Sequence, residues 1–368
     1  MSVTLPKVII NGRFLQRPVT GVERFALQTL RALNTLIEEG CSPFATFEIA
    51  LPPGTNPTVA FSRIPFKTVG RLTGHLWEQV DLPLYCGRAR LLNLCNTAPA
   101  FKQNQAVVIH DAAVFSAPQA FSRPFRLAYK AIHRCLAMGR AQLMTVSEFS
   151  RQDLAAHLGL NPQRIQVLPE SAEHVLEHAP DVAILTRNNL GSLRPYVLAV
   201  SSMAPHKNFR LVLEAVSRLG DIDIDIAIAG GANSRVFGAM GLPAVDRVKW
   251  LGYVSDGELR ALYENAMCFV FPSYYEGFGI PPLEAMQCGC AVLASSAASI
   301  PEVCGDAALY FEPDDAETLS QLIMRLHGST QERERLADAG KARAATFTWR
   351  KVAQALVAQA LAEDKDRS

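Results

Sequence analysis

The sequence predicts an α/β protein built from two doubly wound parallel-sheet domains facing one another across a cleft. Three observations carry this. Short continuous apolar runs alternate with amphipathic helical stretches from one end of the chain to the other, the pattern of parallel strands covered by helices on both faces. The 368 residues exceed what one core serves, at roughly 150 residues per domain. The alternation also restarts after a polar, irregular stretch from about Ala172 to Leu193, where a domain boundary belongs.

In the first domain, expected over residues 1–175, Lys7-Val8-Ile9-Ile10 reads as a strand, Thr20-Gly21-Val22 as a glycine turn and Glu23 to Leu36 as an amphipathic helix. Further strands follow at Leu91 to Leu94, Ala106 to Ile109, Gln142 to Val146 and Ile165 to Pro169, and Ser147 is placed to cap a helix running through His157. The second domain, expected over residues 190–348, opens on the strand Tyr196 to Val200 and the helix Asn208 to Leu219. Runs at Ile224 to Gly231, Val248 to Leu251, Ala266 to Phe271, Ala291 to Ala294 and Ala308 to Phe311 complete a sheet of about six strands. Helices at 257–266, 281–288, 315–327 and 330–345 cover it.

Composition narrows the class. Apolar residues at 49% and charged residues at 19% fit a well-buried globular protein rather than a disordered one. No apolar run approaches the roughly 20 residues that span a bilayer. The stretch Met1 to Lys7 lacks a signal peptide's apolar segment, so a cytoplasmic location is expected. Eight cysteines are scattered without a C-x-x-C pair, which points to buried thiols rather than disulfides or zinc.

The net charge of +1 divides unevenly: residues 1–180 hold 18 Lys/Arg against 12 Asp/Glu, and residues 181–368 hold 18 against 23. The first half is therefore the one to meet an anionic partner, although so small a net charge argues against nucleic acid. Within 121–140, Arg123, Arg126, Lys130, Arg134 and Arg140 interleave with Phe125, Leu127, Tyr129, Ile132, Leu136 and Met138. Two readings stand: an amphipathic helix lying on anionic lipid, and an ordinary surface helix with a basic outer face.

The most informative stretch is Tyr274-Tyr275-Glu276-Gly277-Phe278-Gly279-Ile280-Pro281-Pro282-Leu283-Glu284, which sets two carboxylates eight positions apart across a glycine-containing turn. An apolar strand precedes it and a proline-led helix follows, with Gly289 available to end that helix. Glu276 and the N–H groups of 277–280 thus fall at a strand's carboxyl end, where open α/β sheets bind ligands. His110-Asp111 follows the strand Ala106 to Ile109, and Lys207 follows the strand Tyr196 to Val200. For His110, a site residue and a hydrogen-bonded structural histidine remain equal readings. For Lys207, a diphosphate contact at a helix start and a solvated lysine remain equal readings.

Other patterns exclude. The G-x-G-x-x-G fingerprint is missing from Gly12 to Gly21 and from Gly230 to Gly241, and no Walker lysine motif exists, which counts against a dinucleotide oxidoreductase. Asp221-Ile222-Asp223-Ile224-Asp225 contains Asp-x-Asp but stands at the amino-terminal entrance of a strand, away from the ligand end. The eight histidines show no metal-ligand spacing, and no metal is expected.

Taken together, seven segments resemble the retaining, nucleotide-sugar-dependent glycosyltransferases of family 4, whose fold is the two-Rossmann-domain GT-B architecture. They are Gly21 to Arg24, His75 to Gln79, His110-Asp111, Thr145 to Ser150, Pro205 to Asn208, Leu251 to Asp256 and the block from Phe271 to Val303. The resemblance spans nearly the whole chain. It implies that Glu276 binds donor-sugar hydroxyls, that N–H groups of Gly277, Phe278, Gly279 and Ile280 hold sugar and diphosphate, and that Glu284 accepts the ribose hydroxyls. By the same likeness Lys207 and the Gly21 backbone contact the diphosphate, His110 sits beside the reacting sugar, and Tyr253 and Val254 edge the base. Glu276, His110 and Lys207 are then the catalytic set, and the last helix, 349–368, returns to the first domain.

Two departures stand out. Ser202 occupies the place where many family members carry an arginine; either Arg13, Arg17 or Arg24 substitutes at the phosphates, the preferred reading, or leaving-group stabilisation is weaker. Glu170-Ser171 replaces the usual Asn-Gly after the 165–169 strand. Gly230 to Phe237, with the Ser-x-x-Pro-x-Lys-Asn variant at 202–208, resembles bacterial mannosyl- and rhamnosyltransferases of surface-polysaccharide assembly. The resemblance therefore implies GDP-mannose as co-substrate, with UDP-glucose or a dTDP-sugar such as dTDP-rhamnose as alternatives, and no separate cofactor. It implies a saccharide acceptor, lipid-linked at the cytoplasmic membrane face, and front-face transfer in which Glu276 orients the sugar. A sugar-nucleotide epimerase on the same fold and a non-catalytic sugar-nucleotide-binding relative are the rival readings.

Overall fold

The computed structural model describes residues 6–41, 45–200, 204–230 and 247–361. Ser202, the 231–237 part of the Gly230 to Phe237 stretch and the chain beyond Leu361 lie outside the described residues. Contacts divide the chain into two compact units, the first running to Glu170 and resuming at Trp349, the second spanning Ser171–Thr348. The irregular stretch after Glu170, read from sequence as a linker, thus belongs to the second unit; its turn Glu173–Leu176 and helix Ala183–Arg187 give it structure.

The first unit holds a seven-stranded sheet: β1 (Lys7–Asn11), β2 (Thr46–Leu51), β3 (Phe66–Thr68), β4 (Arg90–Asn93), β5 (Gln105–Val108), β6 (Gln142–Thr145) and β7 (Ile165–Val167), in the order β3-β2-β1-β4-β5-β6-β7. Every pairing is parallel. Strand order reverses between β1 and β4, so the ligand-binding crevice of this sheet belongs at their carboxyl ends. β2 and β3 are two strands the sequence reading lacks. The alternation in Thr46-Phe47-Glu48-Ile49 is short, and β3 is three residues long, too short for periodicity to reveal.

Helix α1 (Gly21–Glu38) buries Phe25, Ala26, Leu30, Leu33 and Leu36 at helical spacing. The helix Trp349–Leu361 packs on it: Trp349 meets Phe25 with ring centroids 6.0 Å apart, and Arg350 Nη1 lies 2.7 Å from Glu39 Oε2. Helix Arg123–Met138 turns Tyr129, His133, Leu136 and Ala137 inward and leaves Arg123, Leu127, Arg134 and Met138 exposed. The apolar residues of 121–140 therefore divide: Tyr129 and Leu136 are buried, Phe125 and Ile132 are half-buried, and Leu127 and Met138 stay exposed.

The second unit holds a six-stranded parallel sheet: β8 (Tyr196–Val200), β9 (Asp225–Ala229), β10 (Val248–Gly252), β11 (Cys268–Phe271), β12 (Val292–Ser295) and β13 (Ala308–Phe311), in the order β10-β9-β8-β11-β12-β13. Order reverses here between β8 and β11. Its core gathers Val197, Val212, Ile226, Val270, Leu293 and Leu319 from strands and covering helices. Asp221 and Asp223 stand before β9 on the outside, facing Arg247 and Arg194. All eight cysteines are free, and burial pushes the Cys268 thiol up to about 12. Among the described residues no helix is long and apolar enough to cross a membrane.

Candidate functional site

In the second unit, the two strands at the order reversal deliver Lys207 and Glu276 to the same place. After β8 the chain makes a short turn, Pro205–Lys207, and Asn208 then takes a left-handed φ of 55°, a conformation asparagine tolerates. Its Nδ2 donates to the carbonyls of Pro272 (3.1 Å) and Pro313 (2.6 Å), and the Tyr274 N–H donates to the His206 carbonyl (2.8 Å). These bonds tie the segment after β8 to the segment after β11. Lys207 Nζ consequently lies 2.7 Å from Glu276 Oε1 and 2.9 Å from Oε2, with 19% and 12% of the two side chains exposed. A charge-assisted, two-oxygen contact of this kind is strong and directional.

The turn between the two glutamates is held from behind. Ser299 is fully buried, and its Oγ lies within hydrogen-bond distance of the Glu276 (3.0 Å) and Phe278 (2.7 Å) carbonyls. Gly279 adopts φ 110° just before the helix Ile280–Gln287, a conformation closed to side chains with a Cβ. Pro281 and Pro282 lack N–H groups, so the helix start presents the Ile280 amide beside those of the glycine turn. Tyr253 follows β10 and is 87% exposed, with Val254 half-buried beside it.

Glu284 is placed differently from Glu276. It is buried, with His174 Nε2 2.7 Å from Oε1, and the Tyr263 hydroxyl donates to Oε2 at 3.2 Å. Burial, and then the Glu284 charge, push the Tyr263 phenol well up, so it stays a donor. Both oxygens of the second glutamate already accept protein hydrogen bonds, and a ribose would share them. Sequence spacing gave no sign of His174, 110 residues away.

In the first unit, His110 follows β5 and is buried. Its Nδ1 lies 3.1 Å from Glu170 Oε1 and its Nε2 lies 2.9 Å from the Leu94 carbonyl. Phe25 of α1 meets the ring edge-on at 4.8 Å. Burial pushes this imidazole down, but the Glu170 hydrogen bond and charge, the Leu94 carbonyl and the Asp111 charge outweigh it and hold it above its ordinary value of 6.5. Gly21 is the exposed first residue of α1, behind Thr20, whose N–H donates to Glu23.

The three phosphate candidates separate. Arg13 is buried and committed within its own unit: Nε lies 3.1 Å from Glu78 Oε1 and Nη2 donates to Thr97 at 2.7 Å. Asn11 and Thr97 also donate to Glu78 Oε1, and His75 faces Oε2. Burial raises the Glu78 carboxyl, yet His75, Arg13, Asn11 and Thr97 together hold it below its ordinary value. A guanidinium so neutralised has little charge to offer a phosphate, whereas Arg17 is exposed and Arg24 half-exposed. Among the described residues no group of three His, Cys, Asp or Glu gathers where a metal could sit.

Residues 184–343, which contain both glutamates and Lys207, match the family described as glycosyl transferases group 1. Residues 184–343 thus form a group 1 glycosyltransferase domain. An O-antigen chain mannosyltransferase B from Escherichia coli is 28% identical to it over 93% of this chain and 96% of its own length. The O-antigen chain mannosyltransferase RfbU of Salmonella typhimurium is 28% identical over 87% of this chain and 90% of its own. Among solved structures, WaaG, a glycosyltransferase involved in lipopolysaccharide biosynthesis, superposes with a TM-score of 0.73 at 16% identity, covering 98% of this chain and all of its own. The glycosyltransferase therefore has the GT-B fold, with one parallel α/β sheet in each unit.

Proposed function

We propose that this glycosyltransferase moves mannose from GDP-mannose to a saccharide acceptor, lipid-linked at a membrane face, in polysaccharide biosynthesis, with retention at the anomeric carbon. The Lys207–Glu276 pair carries the reading. At the order reversal of a parallel sheet it sets an ammonium beside a carboxylate, the two charges a sugar diphosphate uses: one for the phosphate, one for sugar hydroxyls. The relatives named as O-antigen mannosyltransferases support the hexose and the polysaccharide context.

In this reading the anomeric C–O bond to the diphosphate breaks while the acceptor oxygen bonds from the same face, and the departing phosphate oxygen takes the acceptor's proton. Negative charge grows on the leaving phosphate, where Lys207 and the N–H groups of Gly277, Phe278, Gly279 and Ile280 stabilise it. Glu276 orients the sugar, Glu284 reaches the ribose, and Tyr253 and Val254 border the base. Lys207 supplies the cationic charge, so the reaction needs no metal and no cofactor beyond the nucleotide sugar. By the family resemblance, Arg17, Arg24 and the Gly21 N–H at the start of α1 are the first unit's candidate diphosphate contacts.

A thermal-shift panel of GDP, UDP, dTDP and ADP sugars tests the donor, because a ligand of the native state raises Tm by mass action. GDP-mannose is expected to shift Tm most and to lengthen a saccharide acceptor. Stabilisation by UDP-glucose or dTDP-rhamnose alone overturns the donor. Conversion of the nucleotide sugar without any acceptor makes the protein an epimerase, and a glycosyl group trapped covalently on Glu276 removes front-face transfer.

A further inference from the structure

Neither ring nitrogen of His110 meets a donor. Nδ1 faces a carboxylate oxygen of Glu170 at 3.1 Å and Nε2 faces the Leu94 carbonyl at 2.9 Å. A backbone carbonyl only accepts, so Nε2 must carry a proton. The Nδ1···Oε1 contact then holds the second proton, on the ring as an imidazolium facing a carboxylate. The alternative, a neutral ring accepting from a protonated glutamate, sets a neutral pair where an ion pair would have two charge-assisted bonds. Either way, no lone pair of the imidazole is left for a substrate.

The surroundings agree. The charged groups that act most on the ring are Glu170 after β7 and Asp111 beside it, both acidic, and from α1 the Phe25 ring meets it edge-on. The His110 N–H donates to Asn96 Oδ1 at 2.7 Å and Ser150 Oγ donates to the His110 carbonyl at 3.0 Å, so backbone and ring are fixed together. The partner that sets the proton count, Glu170, stands where the resemblance leads one to expect asparagine, a residue without a charge to hold an imidazolium.

We propose that Glu170 is a positioning residue that keeps His110 doubly protonated, so that His110 acts in the transfer by fixed charge and shape and never as a general base. This rests on His110 lying at the transfer site, as the family resemblance implies, and it leaves the acceptor's proton to the departing phosphate by removing this imidazole as a competitor. The step balances without His110: the acceptor O–H proton moves to the phosphate oxygen whose bond to the anomeric carbon has broken.

Nitrogen-15 labelling of the histidines in the full chain gives the direct test, with His110→Gln identifying the signal. Both His110 nitrogens are expected to remain protonated through neutral pH. Glu170→Gln is expected to lower the ring's titration midpoint and to introduce a loss of kcat on the alkaline side of the pH profile, with donor KM changed less than kcat. Glu170→Asp should restore both. An unprotonated ring nitrogen in the wild type at pH 7 overturns the proposal, and that arm needs no variant to fold. An unchanged pH profile in a folded Glu170→Gln protein, even with lower Tm, overturns it too, because a merely structural glutamate would behave that way. Failure of GDP-mannose as donor leaves the ring spectra untouched, so the two readings fail separately.

Discussion

At the scale of single residues, the ion pair of Lys207 and Glu276 makes a prediction that neither side chain makes alone. Each neutralises the other at 2.7–2.9 Å, so a diphosphate arriving at Lys207 must first compete with the Glu276 carboxylate. Glu276→Ala should therefore tighten GDP binding, read by titration calorimetry, while transfer falls because the sugar is no longer oriented. Weaker GDP binding with unchanged turnover would remove the pair from the site. Lys207→Ala should lower kcat by about 10²–10³, the effect of losing one preorganised charge at a developing oxyanion.

How legible these residues are follows from distance along the chain. Glu276 and Lys207 are readable because each directly follows an apolar strand, and the end of a strand is a local fact. Glu170, His174 and Ser299 are not, because what they do depends on partners 60, 110 and 21 to 23 residues away that no periodicity reports. The reading of His110 as either structural or functional stayed open for the same reason: its strand was visible and its two acceptors were not.

At the scale of elements, the helical run of Gly74–Leu76, Trp77–Asp81 and Leu82–Cys86 presents a second apolar face beside the one that 121–140 offers. Its inner side is spent: Trp77 and Leu82 are buried, and Glu78 is neutralised by Arg13. Its outer side exposes Leu76 (66%), Val80 and Leu84 (75%) every fourth residue, after Leu72. Gln79 bonds the Ala98 carbonyl and the Ala100 N–H, which sets the 85%-exposed Phe101 against this helix. Between residues 71 and 147 there are nine Lys/Arg and three acids; of the acids Glu78 is buried and Asp81 is occupied by the Arg71 and Leu72 N–H groups.

Exposed large apolar side chains amid cationic charge suit an anionic lipid surface, which makes a prediction. Leu84→Ser with Phe101→Ser is expected to cut co-sedimentation with phosphatidylglycerol vesicles several-fold, with Tm nearly unchanged because both side chains are already in water. Equal retention of wild type and variant, or none by either, counts against the face. Sequence periodicity left both readings of 121–140 open for a physical reason. An amphipathic pattern reports that a helix has an apolar side, not what covers it; in 123–138 the core takes Tyr129, His133, Leu136 and Ala137 while Leu127 and Met138 stay exposed.

At the scale of the whole chain, the first unit is completed by residues that come last. Trp349 is buried against Phe25, Gln359 reaches back to the sheet, with Gln142 Nε2 donating to Gln359 Oε1 at 2.6 Å, and Arg350 pairs with Glu39. Val352, Ala353 and Leu356 are also buried, so helix Trp349–Leu361 is core to a unit whose other residues end at Glu170. A chain shortened to end at Thr348 would expose the apolar face of α1, including Phe25, Leu30 and Leu33. Burying a large apolar side chain contributes about 1.5–3 kcal/mol, so losing Trp349 and Leu356 together removes a large fraction of a domain's stability of about 5–15 kcal/mol. The second unit keeps its sheet, its Lys207–Glu276 pair and Glu284, all within Ser171–Thr348. The expected result is a calorimetric trace that splits, with an early transition for the first unit and a later one that GDP still raises. A single cooperative transition at the wild-type temperature would mean that the last helix adds nothing to the first unit's stability, and a shortened chain whose remaining transition no longer responds to GDP would place the nucleotide site outside the second unit.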